Sequence, residues 1–296
     1  MSKSHASEPA VTPAIIALYD EYTHAPLPRR TFMARLTAIT GSTVAASAVL
    51  PLLENNYAQA AVIAPDDGRI VTSRVIFPSE AGSIRAYLAH PKAPKGKLPA
   101  VIVIHENRGL NPHIEDVTRR LALEGFLALG VDYLSPQGGT PADEDKARGL
   151  FANLDPKAIG AISQGALSYL EKHSASNGKV GAIGFCWGGA AVGQLAVLSP
   201  ALDAGVVYYG MQPATADVAR IQAPLLLNYA GLDERINAGI PAFESALKAA
   251  GKTYELHVYD GVNHAFNNDT GGARYDEAAA RLAWSRSVAF LKKHLA

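Results

Sequence analysis

From about residue 66 onward, apolar residues recur in short runs separated by polar, glycine- and proline-bearing segments. Val71–Phe77 and Ile84–His90 are mixed runs that predict an antiparallel pair at a sheet edge, with residues 78–83 turning between them. Ala100–His105, Phe126–Val131, Lys179–Ile183, Ala204–Tyr209 and Pro224–Tyr229 are nearly continuous apolar runs. Such runs belong to strands covered on both faces. Tyr254–Tyr259 alternates and predicts one more strand. Between them, helices are predicted near His113–Glu124, Asp143–Leu150, Pro156–Lys172, Ala190–Ala196, Pro241–Ala250 and Tyr275–Leu295, with Gly251 stopping the fifth. Strands alternating with helices over short connections predict an α/β fold, with a mostly parallel central sheet and helices on both faces. Residues 61–296 carry the whole pattern as one domain, without internal repeats.

The strand run at Lys179 ends in Gly184-Phe185-Cys186-Trp187-Gly188-Gly189, and a helix-compatible run of small residues follows. This is the strand–turn–helix setting of a nucleophile elbow, as in α/β-hydrolases, with thiol in place of hydroxyl. Glycines let the chain turn sharply there, because no Cβ blocks the close backbone approach. A thiol at a helix N-terminus is favoured as thiolate by the dipole and the free N–H groups. The partners of a hydrolase nucleophile follow it in the order acid, then histidine. Asp233 sits in the Gly231-Leu232-Asp233 turn after one predicted strand, and His264 follows the next. Both lie beyond C-terminal strand ends, where open α/β sheets bind their ligands. His264 is expected to take and return the proton, with Asp233 fixing its tautomer. His257 is the weaker candidate because it lies within a strand.

Glu106 follows the strand Ala100–His105, in the run Glu106-Asn107-Arg108-Gly109. With that glutamate, the Gly184-to-Gly189 elbow, the Asp233 turn and His264-Ala265-Phe266, residues 66–296 resemble the dienelactone hydrolase family of cysteine α/β-hydrolases. The resemblance implies the α/β-hydrolase fold and hydrolysis of carboxylic esters or lactones through a Cys186 thioester. It also implies that Glu106 contacts the thiol and helps ionise it. The fold's oxyanion hole would use the backbone N–H groups of Trp187 and Asn107. Such donors contribute about 3–4 kcal/mol each to transition-state stabilisation. Arg108, Tyr133 and Phe266 are candidate substrate-binding residues. One departure concerns the substrate: members acting on dienelactone carry His-Ser-Phe-x-Arg, whereas here Asn268 stands in the arginine's place. Arg274 and Arg108 are near enough in sequence to substitute for it. A cysteine peptidase or amidase on the same fold, and a non-catalytic binding module, are the alternative readings.

The first 60 residues differ in kind. Arg29-Arg30-Thr31-Phe32-Met33 is a twin-arginine pattern, the uncharged stretch Leu36–Leu50 follows, and Ala58-Gln59-Ala60 is a small-x-small site. Residues 1–60 therefore read as a Tat-like export signal with a long n-region. Export machinery becomes an expected partner of that segment, and the periplasm the expected location, with the cytoplasm as the alternative. Pro51 and Glu54 interrupt the stretch, so no stable membrane insertion of the mature chain is expected.

With 27 basic and 27 acidic residues, charge makes no case for nucleic acid. A single cysteine excludes an internal disulfide. Gly109 stands where a zinc-binding H-E-x-x-H motif starting at His105 needs its second histidine, and the elbow lacks the Lys-Ser/Thr of a phosphate loop. No metal or cofactor is expected.

Overall fold

The computed structural model describes residues 11–25, 27–57 and 61–296. The small-x-small site at Ala58-Gln59-Ala60 lies outside the described residues. Three helices come first: α1 (Pro13–His24), α2 (Arg29–Thr40) and α3 (Thr43–Val49). The sheet and its covering helices follow, as β1 (Ile70–Ser79), β2 (Gly82–Pro91), β3 (Leu98–Ile104), α4 (Pro112–Leu123) and β4 (Leu127–Val131). Then come α5 (Glu144–Phe151), α6 (Pro156–Glu171), β5 (Ser176–Phe185), α7 (Trp187–Leu198), β6 (Ala204–Tyr208) and β7 (Leu225–Ala230). The chain closes with α8 (Glu234–Asn237), α9 (Ile240–Ala249), β8 (Tyr254–Tyr259) and α10 (Glu277–Leu295).

The strands form one eight-stranded sheet in the order β1-β2-β4-β3-β5-β6-β7-β8. β1 pairs antiparallel with β2, and β2 antiparallel with β4; every other pairing is parallel. This is the predicted architecture, an α/β-hydrolase sheet with an antiparallel edge. The apolar runs explain it: β4, β6 and β7 are buried along their whole lengths, as strands covered on both faces must be. One face packs under α4 and α10, through residues such as Ile114, Leu121, Ala283 and Leu291. The other packs under α5, α6, α7 and α9, through Phe151, Ile162, Val192 and Phe243. The parallel strands all point their C-terminal ends at one edge, so the loops after β3, β5, β6, β7 and β8 converge there.

The N-terminal helices are a small subdomain with an apolar cluster of their own. Ile15, Leu18, Tyr19 and Tyr22 of α1 bury against Phe32 and Leu36 of α2 and Ala46, Val49, Leu50 and Leu53 beyond. Tyr22 stacks on Phe32 at 4.3 Å between centroids. α1 begins with Thr12, whose hydroxyl accepts from the Ile15 N–H, and with Pro13 at the first helical position. Both are ordinary helix-start devices. Gly41, at φ +81°, ends α2. Polar contacts tie the subdomain to the rest of the chain: Arg29 pairs with Asp145, Arg148 lies 4.0 Å over the Tyr22 ring, and Arg274 donates to the Leu53 carbonyl. Among the described residues no single helix is long and apolar enough to cross a membrane; α2 with residues 43–52 has the length only as a pair bent by 106°.

Candidate active site

Cys186 lies between β5 and α7 with φ 54° and ψ −113°, a conformation that side-chain-bearing residues rarely adopt. The turn is held because its neighbours are glycine: a Cβ on Gly188 would stand 2.3 Å from the Ile104 carbonyl oxygen, and one on Gly184 would stand 2.1 Å from that of Gly188. The Cys186 N–H donates to the Tyr208 carbonyl at 3.0 Å, fixing the elbow to β6. Among the described residues two further non-glycine positions have positive φ, Tyr209 at 39° and Ala265 at 65°. All three surround the same point, and backbone strain of this kind concentrates at functional sites.

Three groups converge on that point as the motif order requires. His264 Nδ1 donates to Asp233 Oδ2 at 2.5 Å. Asp233 Oδ1 also accepts from the Ile236 N–H at 3.2 Å, so this carboxylate caps α8 while it orients the imidazole. With Nδ1–H tied to a carboxylate, the tautomer of His264 is fixed and Nε2 is the nitrogen left for Cys186. The donor atoms of His264, Cys186 and a third residue, His24, lie within 4.8 Å of one another. This is the one group of three such donors among the described residues compact enough to hold an ion. The strained elbow lies beneath the sulfur, and the three groups are close enough to share protons.

Electrostatics agree with an activated thiol. Burial pushes the Cys186 thiol up, but the adjacent His24 and His264 imidazoles outweigh it and bring its pKa down to about 6. Burial lowers the basicity of His264, but the Cys186 thiolate and Asp233 push its pKa up to about 10. The pair is therefore a thiolate beside an imidazolium near neutral pH.

A cavity of about 800 Å³ opens over the sulfur. Cys186, Trp187, Asn107, Tyr209, Met211 and His264 line it from the sheet edge, and Thr23, His24, Leu27 and Pro28 from the N-terminal helices. Trp187 opens α7, so its N–H has no acceptor within the helix. Asn107 stands on the loop after β3, its side-chain amide donating to the Thr23 carbonyl at 2.8 Å. Both residues expected to supply oxyanion donors line the cavity.

Other sequence-predicted residues are placed elsewhere. Glu106 is buried, with Oε2 accepting from Asn268 Nδ2 at 3.0 Å and lying 3.9 Å from Arg108 Nη1. Its Oε1 is buried without a hydrogen-bond partner. Burial opposes its ionisation, yet Arg108, His113, Arg274 and His264 together hold its pKa below the usual range. A hydrogen bond from Glu106 to the thiol is not among its contacts; Asn268, in the position of the family arginine, holds it instead. Arg108 does not line the cavity: it is buried, ion-paired to Glu144 at 2.8 Å, and donates to the Tyr19 hydroxyl. Tyr133 lies beneath Trp187 with its hydroxyl 2.7 Å from Ser163 Oγ, a core position. Phe266 is fully buried among Tyr208, Tyr209 and Tyr259. In each case the aromatic or guanidinium group satisfies the core or the subdomain contact and leaves the cavity wall to others. Arg274, over the Tyr19 ring, serves the same contact. His257 is half-buried on β8, near Glu255.

His24 was not legible as a site residue, because it falls in the segment whose twin-arginine pattern reads as an export signal. The signal that could have found it is local: the Thr12-Pro13 start predicts a helix, which places Asp20 and His24 one turn apart on one face.

Comparison with known proteins agrees with this geometry. Residues 84–295 match the model of the dienelactone hydrolase family. A Saccharolobus solfataricus protein named "Putative carboxymethylenebutenolidase" is 34% identical over 260 residues, covering 74% of this chain and 97% of its own. A Klebsiella pneumoniae crystal structure named "Putative Dienelactone Hydrolase" is 30% identical, with a TM-score of 0.69 over 76% of this chain and 99% of its own. A crystal structure of a mutant of the esterase rPPE, 16% identical with a TM-score of 0.62 over 97% of this chain and 99% of its own, shares the fold. An elbow cysteine, a histidine–aspartate pair at the neighbouring strand ends and this run of similarity together place the chain in the dienelactone hydrolase family.

Proposed function

We propose that this protein hydrolyses carboxylic esters or lactones by acyl transfer through a thioester on Cys186. The observation that carries the reading is the thiol in a strained elbow, its sulfur beside an imidazole whose Nδ1 is tied to Asp233 at 2.5 Å. The thiolate adds to the ester carbonyl, and the N–H groups of Trp187 and Asn107 receive the developing oxyanion. Collapse breaks the C–O bond, and His264 delivers its Nε2 proton to the leaving oxygen. Water then attacks the thioester, giving its proton to a neutral imidazole. Breakage of the C–S bond returns the thiolate and frees the acid. The relatives' names support a small lactone or ester as the substrate class. In the presence of a short ester, intact mass spectrometry should show the acyl group added to Cys186. An unmodified enzyme throughout fast turnover, with no adduct on rapid quenching, would oppose the thioester.

Export is a separate proposal, supported by the Arg29-Arg30 pattern and the uncharged stretch after it. The fold adds a condition, since cleavage after Ala60 would remove His24 from Cys186. N-terminal sequencing of protein from the periplasm tests both points. A chain beginning at residue 61 supports a cleaved signal, and protein confined to the cytoplasm opposes export.

A further inference from the structure

Cys186 has histidines on two sides. His24, the last residue of α1, places Nε2 3.2 Å from Cys186 Sγ. Its Nδ1 lies 3.0 Å from Asp20 Oδ1, one turn back, and 2.8 Å from the Asp20 carbonyl oxygen. Both of those partners are acceptors, so Nδ1 carries the hydrogen and Nε2 is left to exchange a proton at the sulfur. Arg235 lies 3.8 Å from the other Asp20 oxygen, and the rings of His24 and His264 meet edge-on at 4.5 Å. The N-terminal subdomain therefore repeats, on its own side of the sulfur, the aspartate–histidine arrangement that Asp233 and His264 make on the other. Thr23, His24, Leu27 and Pro28 form a wall of the same cavity that Cys186 and His264 line.

We propose that His24, oriented by Asp20, is a second catalytic residue, the base that activates water for hydrolysis of the Cys186 thioester. The inference rests on the thioester reading above and divides its two proton transfers between two histidines. His264 gives its proton to the leaving oxygen. Neutral His24 takes a proton from water, the hydroxide adds to the thioester carbonyl, and the C–S bond breaks to release thiolate and carboxylic acid. The proton then passes from His24 across the sulfur to His264, restoring the starting pair. Two observations assign the water step to His24. Its side chain is 12% exposed against 4% for His264, so it is the imidazole nearer solvent. Burial lowers its basicity, but the Cys186 thiolate, foremost among the groups that raise it, holds it above the ordinary histidine range, and acylation removes that charge.

The test uses the full chain as parent, His24→Gln, Asp20→Asn and Cys186→Ala, each checked by circular dichroism. p-Nitrophenyl acetate is mixed rapidly with each, and the burst of p-nitrophenol, the steady-state rate and the acyl-enzyme mass are read. The expected result in His24→Gln is a retained burst, a steady-state rate about 10²-fold lower, and accumulation of acetyl-Cys186. Asp20→Asn should move in the same direction, and it carries the test if His24→Gln fails to fold. Burst and steady state falling together, or neither changing, would overturn the assignment and make His24 a wall residue. Turnover by folded Cys186→Ala would instead overturn the thioester reading itself, so the two failures are distinguishable.

Discussion

Gly188→Ala isolates what the elbow's backbone geometry contributes. Gly188 lies in the first turn of α7 without positive φ, so alanine introduces no dihedral strain there. The new Cβ would stand 2.3 Å from the Ile104 carbonyl oxygen and 2.5 Å from that of His105, against ordinary contacts beginning at 3.4 Å. The obstacle is β3 backbone, which cannot rotate away. The start of α7 must therefore retreat from β3 by about 1 Å, an overpacking cost of about 1–3 kcal/mol. In a domain of this size each kcal/mol corresponds to about 2–4 °C in Tm. The same shift carries the Trp187 N–H and Cys186 Sγ away from the carbonyl, and a 1 Å misplacement costs on the order of 10²-fold in rate. Gly96→Ala, on the loop before β3 and outside the cavity lining, is the control, because nothing lies within 4 Å of a Cβ there. It should be neutral or stabilising by up to about 1 kcal/mol. Thermal melts and p-nitrophenyl ester hydrolysis measure both variants. A Gly188→Ala protein with parental Tm and parental rate would refute the close-approach argument for the Gly-x-Cys-x-Gly turn.

Asp233→Asn should leave the fold intact and lower kcat by about 10³–10⁴-fold, since an amide holds His264 in the wrong tautomer; steady-state kinetics on a short ester measure it, and a loss under tenfold would contradict the assigned role. Alkylation of Cys186 by iodoacetamide should follow thiolate with a midpoint near pH 6. The thiol's pKa is depressed, so reactivity persists above that value and is lost as pH falls through it. At pH 7 roughly nine-tenths would be thiolate, against a few per cent for an ordinary cysteine. A midpoint above pH 8 would remove the imidazoles' proposed effect.

The sequence carried the sheet and the nucleophile further than it carried the walls around them. Runs such as Leu225–Ala230 are apolar along their length because both faces are covered, so the strands and the helices between them could be read from the chain, though not the strand order. The elbow was legible because steric need confines Gly184 and Gly188 to glycine. Asp233 and His264 were legible because strand ends converge at one sheet edge. Roles that depend on packing were harder to place. Tyr133, Phe266 and Arg108 are side chains of the right chemistry near the right loops, but the core and the subdomain contact claim them. Glu106 turns to Asn268 and Arg108, a partnership set by tertiary approach across 162 residues of chain. His24 was hidden by a competing pattern. The twin arginines and uncharged run that suggest a signal also form α2 and α3, whose apolar faces bury against α1 and hold His24 over the thiol.

Hydrolysis of short p-nitrophenyl esters by the full chain beside folded Cys186→Ala tests the central claim most directly. The account predicts turnover in the parent and its loss in the variant, with circular dichroism spectra that superimpose. Equal turnover in both would contradict the assignment of Cys186 as the nucleophile.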